Sequence, residues 1–110
     1  MALLGASAAQ ALPVHIEING AVFSPEAEVD IQRHLRTLST PPFTIRLQAP
    51  DIAAFAAFTQ ARIGEKMEVF VCDEVIFSPK LLAPISDGEI YIHTALVNGR
   101  LEAFVSGGCP

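Results

Sequence analysis

Two apolar runs, MEVFVC over residues 67–72 and VIFSP over 75–79, stand only two residues apart. Segments apolar on both faces have to be covered on both, and so short a connection leaves room only for a tight hairpin. The pair predicts two central antiparallel strands joined at Asp73-Glu74, with a helix covering one side. Glutamate suits poorly a turn that needs positive φ, so this turn is expected to be longer or slightly strained. Pro79 and Pro84 cannot donate to a sheet ladder, which sends the backbone between them along an edge or through a bend. Asp87-Gly88 supplies the next turn.

The neighbouring segments extend the same pattern. VHIEI alternates, with Val14, Ile16 and Ile18 on one face and His15 and Glu17 on the other, and Asn19-Gly20 ends that strand. FTIRLQ is a second strand, with Phe43, Ile45 and Leu47 inward. The segment PDIAAFAAFTQARIGEK carries the main helix, about residues 50–63. Pro50 fits its first position, Asp51 complements its dipole, and Gly64 ends it with Arg62 and Lys66 nearby. Its inward stripe is Ile52, Phe55, Ala56, Thr59 and Ile63. Residues 25–38 fit either a helix or a strand, and the adopted reading is one turn at 25–28 followed by a strand. EIYIHTAL forms the last strand, with Ile90 and Ile92 on one face and Tyr91 and His93 on the other. Asn98 caps a short C-terminal helix, GRLEAFV, which Ser106-Gly107-Gly108 stops. The fold class is α+β: a mainly antiparallel sheet of about 4–6 strands with both helices packed on one face.

With 110 residues, 51% of them hydrophobic and 17% charged, the chain suits one ordered domain. Twelve acidic residues against seven basic ones give a net charge of −5, which argues against binding nucleic acid or anionic lipid. No apolar run reaches the ~20 residues that cross a bilayer, so a soluble chain without a membrane span is expected. Residues 1–12 read differently. MALLGASAAQAL ends in Ala9-Gln10-Ala11, a pattern that signal peptidases cut, but it lacks a basic start and a full apolar core. It reads as the tail of a secretory signal that starts upstream, or as an alanine-rich leader without a role. Either reading leaves 1–12 outside the fold and 13–110 as the domain.

Candidate chemistry is sparse. His15, His34 and His93 are scattered without the spacing of a metal site, and no phosphate-cradling glycine loop occurs. Ser78 or Cys72 could be set beside a histidine on paper, but no strand-turn-helix elbow surrounds either one. No catalytic residue, metal or cofactor is expected. The two cysteines say more. In an oxidising compartment an even count fits one bridge between Cys72 and Cys109. It would close a loop of about 37 residues and contribute roughly 3–4 kcal/mol on the loop-entropy model.

Residues 43–94 carry a further pattern: Phe-x-x-(Leu/Phe)-Thr, a glycine-ended helix, an apolar hairpin with an Asp-Gly turn, then Pro-x-Ile, Pro-Ile and a final Gly…Ile-x-Gly. Phe55, Phe58, Thr59, Gly64, Asp73, Pro79, Pro84, Ile85, Gly88 and Ile92 supply it. In these residues the chain resembles the head portion of the first periplasmic domain of SecD, the bacterial protein-export membrane protein. Glu74 and Thr94 stand where that family has glycines. The resemblance implies an α+β fold, a periplasmic or secreted location and a stand-alone relative of the head, which in the family engages translocating preprotein and is not catalytic. Phe55, Thr59, Gly64, Asp73, Pro79, Pro84 and Gly88 then serve as frame residues. The leading expectation is a non-enzymatic exported binding or accessory domain contacting peptides or a membrane-protein partner. A small periplasmic hydrolase or ligand-modifying enzyme is one alternative, and a self-associating structural subunit is another. The sequence leaves the oligomeric state open.

Overall fold

The computed structural model describes residues 8–34, 43–92 and 100–110. Eight strands and two helices follow in the order β1 (Ala8–Leu12), β2 (Val14–Ile18), β3 (Ala21–Phe23), β4 (Val29–Arg33), β5 (Phe43–Arg46), α1 (Ala49–Gln60), β6 (Met67–Val71), β7 (Glu74–Phe77), β8 (Glu89–Ile92) and α2 (Arg100–Gly107). The class is α+β, with every strand pair antiparallel. The strands form two four-stranded sheets, not the single sheet of 4–6 strands read from the sequence. Their orders are β1-β4-β5-β8 and β3-β2-β6-β7.

The two sheets share one ribbon of chain. Pro13 separates β1 from β2, and its missing N–H breaks the ladder where the ribbon passes from one sheet to the other. Its carbonyl accepts the Cys72 N–H at 3.1 Å, which ties the corner to the β6–β7 turn. Excluding residues 1–12 from the fold is therefore corrected for Ala8–Leu12, which pair along β4, with Leu12 buried. Residues 1–7 lie outside the described set.

Period-2 alternation becomes burial. Ile16, Ile18, Ile31, Ile45, Val69, Val71 and Ile92 are fully enclosed, and Phe55 of α1 packs among the core side chains. In place of the turn read at 25–28 there is only a bend at residues 26 and 27, and the strand read after it forms as β4; residues 35–38 are outside the described set. Asn19 and Gly20 take φ of 50° and 88°, as a two-residue hairpin turn requires, and lead into β3. That short strand was not legible, because only three residues carry it.

Two local readings change. The β6–β7 turn is Cys72-Asp73, both at positive φ (53° and 63°), while Glu74 pairs with Val71 as the first residue of β7. Glutamate is thus spared the positive φ, and cysteine adopts it. The main helix ends at Gln60, so Ile63 does not continue the buried stripe and is 43% exposed. Gly64, at φ +97°, follows in a turn where its N–H bonds the Leu81 carbonyl. The short C-terminal helix forms over Arg100–Gly107, buries Leu101, Phe104 and Val105, and packs against β1. Asn98 and His93 lie outside the described residues.

Candidate functional site: a groove between two strand edges

The segment after β7 is shaped by the frame residues named from the sequence. Thr59, wholly buried on α1, lies with its hydroxyl 3.1 Å from the Phe55 and Ala56 carbonyls and accepts the Ile85 N–H at 3.0 Å. Gly64 N–H bonds Leu81 O at 2.7 Å, Leu81 N–H bonds Glu65 O at 2.8 Å, and Met67 N–H bonds Pro79 O at 2.8 Å. Leu47 N–H bonds Gly88 O at 2.8 Å. Phe55, Thr59, Gly64, Pro79 and Gly88 thus hold residues 79–88 against α1, β5 and the start of β6, with Pro84 exposed within that segment. Asp73 is not part of this set; it lies in the turn at the far end of β6.

Held this way, residues 79–88 make one wall of a groove of about 220 Å³. Its sides include Phe77 at the end of β7, Leu81, Leu82 and Ile85 on the segment, and Ile90 and Tyr91 on β8. Among the described residues β7 ends one sheet and β8 ends the other, and both strands border the groove. Leu82 is 77% exposed, Tyr91 46% and the nearby Ile63 43%; only two other large apolar side chains, Val22 and Val75, are comparably exposed among the described residues.

Along β8, one backbone donor is not taken by any described residue. Glu89 N–H bonds the Asp87 carboxylate at 3.0 Å instead of β5. An antiparallel ladder alternates its bonds, so the Tyr91 N–H also faces away from β5, toward the open side. The Tyr91 hydroxyl donates to Glu89 at 2.6 Å, and Glu89 also pairs with Arg46 at 3.2 Å. Hydrogen bonding to Glu89, together with its negative charge, pushes the Tyr91 phenol up to about 12. The rim carboxylate is therefore already engaged from two sides.

The groups weighed for chemistry are dispersed. The Cys72 sulfur lies at disulfide distance from that of Cys109, with Cα atoms 5.5 Å apart. Ser78 is exposed just after β7. His15 lies 3.3 Å from Glu17 and stacks on Phe70, and His34 lies 2.9 Å from the Thr44 hydroxyl. No group of three metal-binding side chains converges among the described residues. No described helix is long and apolar enough to cross a membrane. A larger depression, about 420 Å³, lies beside Leu12, Pro13 and residues 25–29. There the N–H groups of Glu26 and Ala27 are already taken by the buried Asp51 carboxylate, at 3.0 Å each. Sequence reasoning saw Asp51 only as a helix-dipole residue; its tie to residues 26 and 27 links positions too far apart for any local pattern to reveal.

Comparison with protein-family models, curated proteins and solved structures finds no match to the chain.

Proposed function

We propose that the protein is a non-enzymatic binding domain of the bacterial cell envelope, and that its groove takes an extended polypeptide segment. The observation that carries this reading is an apolar groove, its most exposed side chain Leu82, that runs beside β8, the last strand of its sheet among the described residues. Strand addition draws affinity from main-chain hydrogen bonds and selectivity from pockets for alternate side chains, and the Tyr91 N–H and the groove offer one of each. The resemblance of residues 43–94 to the SecD head portion supports an extracytoplasmic setting and a polypeptide ligand. The Cys72–Cys109 pair supports an oxidising compartment.

Fluorescence anisotropy with a labelled, permanently unfolded polypeptide, reduced and alkylated lactalbumin, tests the binding reading. Saturable binding is expected, weakened by about tenfold in Leu82→Asp and unchanged in Val22→Asp, which places the same charge on β3. No binding, or equal loss in both variants, contradicts it. Thiol counting on unreduced protein from its native host tests the compartment: a closed Cys72–Cys109 bridge is expected, and two free thiols contradict the envelope setting.

A further inference from the structure

We infer that the outer face of the β3-β2-β6-β7 sheet docks a second copy of this chain about a two-fold axis. This stands apart from the groove and does not rest on the peptide-binding reading. The inner face of that sheet carries Ile16, Ile18, Met67, Val69 and Val71, which share one core with Phe55 of α1 and Leu101 of α2. Both helices therefore cover the inner face. The side chains that alternate with the buried ones, His15, Glu17, Glu68 and Phe70, turn outward and are half-buried. Lys66 precedes the buried Met67, so it turns outward with Glu68. Lys80 lies directly opposite Lys66 in an antiparallel bridge, and both lysines are exposed.

The outer face is thus banded along its strands. Lys66 and Lys80 form one row, and Glu17 and Glu68 lie directly opposite each other in the next. The third row holds His15 and Phe70, whose rings stack with centroids 4.5 Å apart. Successive rows stand two residues apart along a strand, about 7 Å. Each charged row sets like charges side by side, which is unfavourable in the isolated chain. Relief within the chain is partial. His15 lies 3.3 Å from Glu17, while Lys66, Lys80 and Glu68 form no ion pair among the described residues.

A partner for this face has to present negative charge to the lysines and, one row on, positive charge to the glutamates. The same face supplies that order when it is turned over about an axis that crosses the strands between the two charged rows. Lys66 of each copy then lies over Glu68 of the other, and the two-fold axis makes the contact twice. Lys80, one strand away, reaches the same carboxylate row on its flexible stem. The Phe70 ring falls toward Gly64 of the other copy, where a Cβ would have nothing within 4 Å. Four strands of up to five residues cover about 300 Å² per copy, well below the roughly 800 Å² of a standard interface. The dimer is therefore weak, with Kd on the order of 0.1 mM, and depends on charge.

Sedimentation equilibrium of the full chain at physiological ionic strength tests the inference. A Debye length of about 8 Å there screens the net charge of −5 on each copy but leaves contacting pairs effective. The weight-average mass is expected to rise with concentration from that of one copy toward that of two. The variants Lys66→Glu/Lys80→Glu and Glu17→Lys/Glu68→Lys are each expected to self-associate about tenfold more weakly. The second carries less net negative charge, so general repulsion alone would make it associate more strongly. Mixed in equal amounts, the two variants restore opposite charges across the contact and are expected to dimerise as tightly as the unmodified chain. A single copy at every concentration up to about 1 mM overturns the inference. So does a dimer that either variant keeps, or one that the mixture fails to restore. If a reversal variant does not fold, Lys66→Gln and Glu68→Gln are each expected to weaken the dimer about threefold, and no change in either overturns the inference.

Discussion

Gly88 combines two demands that no other residue meets as cheaply. Its φ is +73°, and a Cβ there would lie 2.7 Å from Ile52 Cγ1 on α1. Gly88→Ala is therefore expected to destabilise by roughly 1–3 kcal/mol, through backbone strain and the forced shift of α1. Thermal unfolding reads this as about 4–8 °C for each kcal/mol, and an unchanged midpoint contradicts the packing described. Tyr91 supplies a second test. Its phenol is raised from 10.0 to about 12, first by the hydrogen bond to Glu89. A folded-state value above the unfolded one means the native state keeps the proton longer. The associated stability is complete below pH 10 and is lost as pH rises toward 12. Ultraviolet titration of the phenol should show the high midpoint, and Glu89→Gln should bring it back toward 10. A Tyr91 midpoint that Glu89→Gln leaves unmoved contradicts the contact.

Among the elements, α2 joins parts that the chain otherwise leaves separate. Arg100 pairs with Glu74 of β7 at 2.8 Å, while Glu102 and Ser106 meet Arg33 of β4 at 2.8 and 2.7 Å. One short helix thus touches both sheets, and the cysteine pair at 72 and 109 secures its end to the Pro13 corner. Replacing both cysteines by serine is expected to cost about 3–4 kcal/mol, mainly by freeing the unfolded chain. The helix stays docked in that variant because Leu101, Phe104 and Val105 remain buried. Denaturant unfolding should show the lower stability with unchanged helical circular dichroism in the native state; loss of helix signal contradicts this division of labour. Alternation and turn chemistry made β2, β5, β6 and α1 legible from sequence, because each is a local pattern. β1 was not, since alanines next to a cleavage-like pattern carry little alternation, and its pairing with β4 joins residues 17 to 25 positions apart. The hairpin turn moved by one residue because Cys72 tolerates a conformation normally assigned to glycine or asparagine.

At the scale of the whole molecule, the division into two sheets creates the candidate site. A ribbon bent at Pro13 commits β1 and β2 to different sheets, and among the described residues β7 and β8 are then the last strands of those sheets, both bordering one groove. The frame residues of that groove could be named from the sequence, but the groove could not. It depends on which strands end each sheet, and that follows from pairings between distant segments. The same holds for Lys66 and Lys80, unremarkable in sequence and opposed only once residues 79–82 lie along 64–67. Residue-resolved amide hydrogen exchange, with and without reduced and alkylated lactalbumin, tests the account most directly. The Tyr91 amide is expected to exchange freely in the unbound protein and to gain protection on binding, while Val69 in the centre of the other sheet stays unchanged. A Tyr91 amide already protected in the unbound protein, or one indifferent to bound peptide, contradicts strand addition at this edge.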